Sequence, residues 1–300
     1  MQKNTITILD AGMGKTLSLR GVEIPPTIWS ANALIAAPEV VLEIHRENIS
    51  AGARMITTNS YGIIPVDLKK EGLLERYEEL NHLAGDLARK AASESHETIK
   101  VAGSLPPLNG SYRPDRVLNK EVIEPIYRQQ CEALCPYVDV FLAETMSTIQ
   151  EAVSAASVAS EFGKPVLVGL TLHDEQRGKL RSGEFLSDAI CELKKLNLEG
   201  LLANCSLPER ITDAMPTIAG SGFTYSGGYA NAFCNVPKDW LLDGDKDTDG
   251  KLEVRKDLTP NRYCQFVIEW VESGANLVGG CCGTTAEHIK SITEWLEKKE

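Results

Sequence analysis

Three cysteines carry the most chemical information in this chain. Cys281 and Cys282 are adjacent, within Asn276-Leu277-Val278-Gly279-Gly280-Cys281-Cys282-Gly283-Thr284, and Cys205 ends a second apolar run, Gly200-Leu201-Leu202-Ala203-Asn204. Neighbouring Cα atoms lie about 3.8 Å apart, whereas a disulfide prefers about 5.5 to 6 Å, so the adjacent pair is poorly placed to bond to itself. Both sulfurs can instead turn toward one metal, and the flanking glycines allow the close backbone approach that this needs. Cys205 supplies the third thiol from another strand end. Zinc sites with three protein ligands keep a fourth position for water or substrate, so the set suits Zn2+ in a reactive rather than a closed structural site. The bland alternative is three small buried hydrophobes. The Gly-Gly-Cys-Cys-Gly turn, matched by Asn204-Cys205, favours the metal. Thr284 is expected to cap the helix that Ala286 begins.

The elements that must position these thiols repeat along the chain. Apolar runs at 5–10, 53–61, 100–105, 138–145, 165–171, 200–205, 223–229 and 276–280 read as strands. Helical spacing over 38–50, 68–95, 120–137, 149–162, 185–196, 208–218, 260–273 and from 286 onward separates or follows them. Such alternation implies parallel pairing, and eight units imply a closed barrel. We therefore expect the α/β class, a (β/α)8 TIM barrel, with residues 1–300 as a single domain. Active sites of such barrels lie at the C-terminal strand ends. Here those ends carry Asp10, Asn59, Ser104, Glu144, Thr145, Asn204, Cys205, Asn231, Cys281 and Cys282. The turn-rich stretch 106–114 is longer than a minimal connection and is expected to cover the site.

Other motifs carry less. Gly12-Met13-Gly14-Lys15-Thr16 looks like the end of a phosphate loop, but Leu9 stands where that motif needs its first glycine, so Asp10 reads better as a substrate contact. Asp245, Asp247 and Asp249 resemble the start of a calcium loop, yet Lys256 stands where a bidentate Glu is required, and a solvated acidic turn is the simpler reading. The five histidines show no metal spacing, although His173-Asp174 follows the fifth strand. Cys131, Cys135, Cys191, Cys234 and Cys264 have no ligand spacing and read as packing. A net charge of −11 argues against nucleic acid, and no apolar run is long enough for a membrane span. With no secretory signal, we expect a cytoplasmic protein with reduced thiols.

Taken together, the Gly-Gly-Cys-Cys-Gly-Thr turn, Asn204-Cys205, Leu9-Asp10-Ala11-Gly12-Met13-Gly14, Thr58-Asn59-Ser60-Tyr61 and Glu144-Thr145 resemble the homocysteine S-methyltransferase family. The resemblance runs through nearly the whole chain in the same order. It implies a (β/α)8 barrel, zinc bound by Cys205, Cys281 and Cys282, and small-molecule substrates, namely homocysteine and a methyl donor, giving methionine. It also implies that Asp10 and Glu144 hold the amino acid's ammonium group. Two features depart from the family. Ala11-Gly12 is transposed relative to its usual Asp-Gly-Ala-Met-Gly-Thr start, with Lys15 following, and Leu105-Pro106-Pro107-Leu108-Asn109-Gly110-Ser111-Tyr112 stands in place of the Gly-Pro-Tyr-Gly-type stretch of the S-methylmethionine enzymes. The eight units fill the sequence, so no attached corrinoid or folate domain and no long betaine-enzyme arm are expected. That leads to a sulfonium donor, S-methylmethionine or S-adenosylmethionine. Betaine, dimethylsulfoniopropionate and a separate corrinoid partner are the alternatives within the family. A zinc hydrolase or a zinc- and redox-sensing thiol protein is the alternative outside it.

Overall fold

Each strand of this chain is nearly continuous in apolar residues because both of its faces are covered. In a computed structural model, residues 6–238, 240, 241, 244 and 252–299 are described. The strands are β1 (Thr7–Ile8), β2 (Met55–Thr57), β3 (Lys100–Leu105), β4 (Val140–Met146), β5 (Val166–Leu170), β6 (Gly200–Asn204), β7 (Tyr225–Ala230) and β8 (Leu277–Gly280). They form one sheet in the order β1-β8-β7-β6-β5-β4-β3-β2, with every neighbouring pair parallel. Leu9 bridges Met55 in parallel, and the Arg54 amide donates to the Ile8 carbonyl at 2.8 Å, so β1 meets β2 and the sheet closes into the expected barrel.

The alternation of side chains sorts residues between the two sides of the barrel wall. Leu9, Met55, Ala102, Val140, Leu142, Leu167, Leu202, Tyr229 and Leu277 form a cluster of their own inside the barrel. Val101, Leu105, Phe141, Ala143, Leu201 and Ala203 instead join the larger core shared with the helices. Positions two beyond an inward residue share its face. Ser104 therefore follows Ala102 inward, Glu144 follows Leu142, and Asn204 follows Leu202. Three polar strand ends are thus delivered to the mouth of an otherwise apolar barrel.

Most helical expectations agree to within a few residues, among them Pro38–Ser50, Ile149–Ser160, Pro208–Ala219 and Pro260–Glu272. Two differ. The expected helix over 68–95 is two helices, Pro65–Lys70 and Tyr77–Ser93, separated by Gly72 at φ +68° and a 3-10 turn at Leu74–Arg76. The left-handed glycine redirects the chain where periodicity alone reads straight on. The final helix, Ala286–Glu297, is capped by Thr285 and not Thr284: the Thr285 side chain accepts the His288 amide, and His288 Nδ1 accepts the Thr285 amide at 3.1 Å. Thr284 serves the cysteine turn instead.

No helix among the described residues is long and apolar enough to cross a membrane. Asp245, Asp247 and Asp249 lie outside the described residues. All eight cysteines are free; Cys131 and Cys264 are buried, as packing residues should be, whereas Cys191 is exposed.

Candidate metal centre and substrate cavity

At the C-terminal strand ends a cavity of about 590 Å3 is lined by Asp10, Asn59, Ser104, Glu144, Cys205, Cys281 and Cys282, together with Trp29, Tyr61 and Tyr229. The thiols of Cys205, Cys281 and Cys282 lie within 4.8 Å of one another and form the metal-competent group among the described residues. Cys205 Sγ is 3.6 Å from Cys282 Sγ, close to the roughly 3.8 Å edge of a tetrahedron with Zn–S bonds of about 2.3 Å. Cys205 Sγ and Cys281 Sγ are closer, at 2.6 Å. An all-sulfur donor set of three fits Zn2+ and leaves a fourth position for a ligand.

Backbone geometry presents these sulfurs. Cys205 takes φ +46°, a left-handed conformation that turns its side chain off the strand axis. Its carbonyl accepts a hydrogen bond from Asn231 Nδ2 at 3.0 Å, which holds the strained residue in place. The Cys281-Cys282 turn is fixed by Thr284, whose Oγ1 donates to the Cys281 carbonyl at 2.7 Å and accepts from the Gly12 amide at 3.3 Å. Gly12 packs directly on this turn: a Cβ there would come within 2.5 Å of the Cys281 carbonyl oxygen. The transposed Ala11-Gly12 order thus places the residue without a side chain where the cysteine backbone passes. Gly12→Ala is expected to push the turn outward and weaken metal binding at least about tenfold with the barrel intact, because supports of metal ligands carry effects of that size. Competition against a chromophoric chelator measures it, and unchanged affinity would refute the contact's importance.

Burial alone raises the Cys205 thiol, but its hydrogen-bonding contacts with Cys281, Cys282 and Tyr112 outweigh it and hold Cys205 well below the usual thiol range. Cys281 is pushed up first by burial and then by its contacts with Cys205 and Cys282, and Cys282 is raised first by its contact with Cys205. One sulfur of the trio is therefore held low while the other two are raised.

Two carboxyl groups face the same cavity. Asp10 is 4 % exposed and Glu144 7 % exposed. The Asp10 carboxylate accepts from the Thr57 amide at 2.8 Å and from Thr57 Oγ1, so it continues the β1–β2 ladder where backbone pairing stops. Glu144 accepts from Ser104 Oγ at 2.5 Å and from Tyr229 Oη at 3.2 Å. Burial raises Asp10 to about 8 against the hydrogen bonds from Thr57, with Glu144 nearby adding to the rise. Burial likewise raises Glu144 to about 7, opposed by Ser104 and Tyr229. Two acids held near neutrality in a low-dielectric cavity favour a cationic ligand group, which would relieve both.

The other strand-end residues divide. Asn59 and Ser104 line the cavity, although Asn59 Nδ2 is engaged with the Ser30 carbonyl at 2.9 Å. Thr145, Asn204 and Asn231 are not among the residues that line the cavity. Asn204 Oδ1 accepts the Thr145 amide at 2.8 Å, and Asn204 Nδ2 donates to Thr145 Oγ1 at 2.9 Å. This pairing pins Thr145 at φ +64°, next to the register shift between Ala143 and Met146 in β4. A β-branched residue in that region costs on the order of 1–3 kcal/mol, so the clamp is structurally necessary. Asn204→Ala should lower stability by about 1–3 kcal/mol through the orphaned amide and hydroxyl. Urea unfolding measures it, and an unchanged midpoint would contradict the clamp.

Sequence reasoning did not single out Thr57, Tyr229 or Tyr112. Tyr112, in the 106–114 loop that was expected to cover the site, donates from Oη to Cys205 Sγ at 3.1 Å. His173 does not face the cavity; its Nδ1 accepts the amides of Glu175 and Gln176 and closes its own turn.

The chain matches the homocysteine S-methyltransferase family over residues 7–296. It belongs to that family. The Escherichia coli (strain K12) homocysteine S-methyltransferase is 28 % identical, over 97 % of this chain and 96 % of that protein. The crystal structure of the E. coli homocysteine methyltransferase MmuM in its metallated form superposes with a TM-score of 0.81 at 27 % identity, covering 98 % of this chain and 97 % of that one. Its oxidized form matches with the same TM-score at 26 % identity. The barrel expected from the sequence is the barrel of these homocysteine methyltransferase structures.

Proposed function

We propose that this protein transfers a methyl group from a sulfonium donor, S-methylmethionine or S-adenosylmethionine, to the thiol of homocysteine, giving methionine, with Zn2+ held by Cys205, Cys281 and Cys282. The observation that carries this reading is the convergence of three thiols and two buried carboxyl groups in one cavity. Homocysteine has a thiol at one end and an ammonium at the other, and the cavity offers a partner for each. Zinc, when bound, supplies the Lewis acidity that favours the substrate's thiolate near neutral pH, where a free thiol with a pKa of about 8.5 is mostly protonated.

Asp10 and Glu144 accept the ammonium group, and Thr57, Ser104 and Tyr229 orient those two carboxylates. With the amino acid anchored at its ammonium end, its sulfur is held for in-line attack on the donor's methyl carbon. A new S–CH3 bond forms as the donor's C–S bond breaks, and the bonding pair stays on the donor sulfur, which leaves as a neutral thioether. Opposite charges of thiolate and sulfonium are dispersed in that transition state, so a cavity walled by Leu9, Met13, Trp29 and Phe233 favours it by excluding water. A hydrolase reading draws no comparable support, since the ligand group contains neither histidine nor carboxylate.

The deciding experiment is methionine formation by zinc-loaded protein given homocysteine and, separately, S-methylmethionine, S-adenosylmethionine, betaine or dimethylsulfoniopropionate. Turnover with either of the first two supports the proposal. Turnover with betaine or dimethylsulfoniopropionate alone replaces the donor, and turnover only with a methylated corrinoid protein moves the chain to a two-component system.

A further inference from the structure

A site that brings a methylating electrophile to a cluster of thiols must methylate the bound substrate and spare its own cysteines. Cys205 faces this hazard because its thiol lines the same cavity beside those of Cys281 and Cys282. Its Sγ accepts from Tyr112 Oη at 3.1 Å, and Tyr112 is itself 5 % exposed. Tyr112 is held at φ +62°, a conformation that a bulky residue adopts only under constraint.

A cation packs on its ring. The Arg181 guanidinium carbon lies 5.1 Å from the centre of the Tyr112 ring. Arg181 Nη1 pairs with Asp174 Oδ2 at 2.7 Å, and the two side chains are only 9 % and 8 % exposed. The same Asp174 oxygen accepts the Val236 amide at 3.1 Å. Val236, Trp240, Tyr112 and Cys205 form one apolar cluster against Cys281 and Cys282. Three loops, after β3, β5 and β7, therefore meet over the Cys205 sulfur with a buried ion pair at their junction. Arg181 Nε and Nη2 have no hydrogen-bond partner among the described residues. A buried ion pair that leaves two N–H groups unsatisfied is a poor device for stability alone. The guanidinium packs against the Tyr112 ring.

We propose that Arg181 is a positioning residue that, held by Asp174, fixes and polarises Tyr112 so that its hydroxyl ties up the Cys205 sulfur and protects that cysteine from methylation. A cation on the ring withdraws electron density and strengthens the phenol as a donor. A sulfur that accepts a strong hydrogen bond is a weaker nucleophile than one that accepts none. The reaction suppressed is attack of Cys205 Sγ on an electrophilic methyl carbon, forming Cys205 S–CH3 while the leaving group departs with the bonding pair. The inference rests on the methyl-transfer reading for its purpose. Its chemistry is tested without any biological donor.

The test is peptide-resolved mass spectrometry of zinc-loaded protein treated with iodomethane, with metal content measured alongside. Arg181→Met is expected to speed methylation at Cys205 about tenfold, a factor in keeping with a desolvated cation–π contact, with the rates at Cys131 and Cys264 unchanged. Tyr112→Phe should give at least the same rise, Arg181→Met should add nothing to it, and Arg181→Lys, which keeps the charge, should restore part of the protection. An unchanged Cys205 rate in Arg181→Met would overturn the proposal. So would a parallel rise at Cys131 and Cys264, which reports loosened packing, or independent effects of the two substitutions. Because iodomethane is the probe, these outcomes stand apart from whether homocysteine or a sulfonium is the natural substrate.

Discussion

Cys281→Ala is expected to lose stoichiometric zinc and methionine formation together while the barrel stays folded. The backbone around Cys281 is held without its thiol: its amide donates to the Ala230 carbonyl at 2.9 Å, and its carbonyl accepts from the Thr284 amide and hydroxyl. Removing the sulfur therefore leaves the turn in place and two thiols in the cavity. Loss of supports around a metal ligand already costs 10- to 100-fold in affinity, and loss of a ligand should exceed about 100-fold. Metal analysis after dialysis, circular dichroism and a methionine assay on one preparation separate these effects. Full turnover with one zinc per chain retained would rule out the three-cysteine site.

Glu144→Gln is expected to act in opposite directions on stability and on binding. The folded values of Glu144 and Asp10, about 7 and about 8, stand above the ordinary values of 4.5 and 3.8. Below those ordinary values both groups are protonated whether the chain is folded or not, and they exact no pH-dependent cost. As pH rises from there through the folded values, the unfolded chain releases protons that the folded chain retains, so stability falls across that window. For Glu144 the loss is on the order of 3 kcal/mol by pH 8. Glutamine removes it and can still accept from Ser104. The variant should therefore melt about 5 °C higher than the parent at pH 8 and only slightly higher at pH 5. Homocysteine binding should weaken by about ten- to a hundredfold, since a buried carboxylate partner of the ammonium is gone. Thermal unfolding at the two pH values and calorimetric titration measure both arms. A variant no more stable at pH 8 that binds homocysteine as before would remove Glu144 from the ammonium site.

A site tuned this way trades stability for readiness. Two acids kept near neutrality by burial lower the stability of the ligand-free protein at neutral pH, and a bound ammonium would return what they cost. The left-handed Thr145 and Cys205 belong to the same pattern. Strained backbone collects at the cavity and is held there by the side-chain amides of Asn204 and Asn231.

The sequence by itself determined the barrel, because eight apolar runs separated by helical periodicity admit few other closed arrangements. It also determined the thiol trio. Paired cysteines between glycines and a third at another strand end are local signals, and parallel strands carry both ends to the same rim. The inward direction of Ser104 and Glu144 follows from strand alternation in the same way. What lies beyond a strand end was not legible. Thr145, Asn204 and Asn231 share the strand ends with Glu144, yet they do not line the cavity: Asn204 and Asn231 are spent on holding Thr145 and Cys205, the two residues at positive φ, and no periodicity foretells such a turn. Tyr112 reaches Cys205 across 93 residues of sequence, and Tyr229 reaches Glu144 across 85. Thr284 and Thr285 are neighbours of one type, and only packing against Gly12 decides which caps the helix and which holds the cysteine turn. Local periodicity fixes what a strand presents; the partners of its last residue depend on loops that take shape only when the barrel has closed.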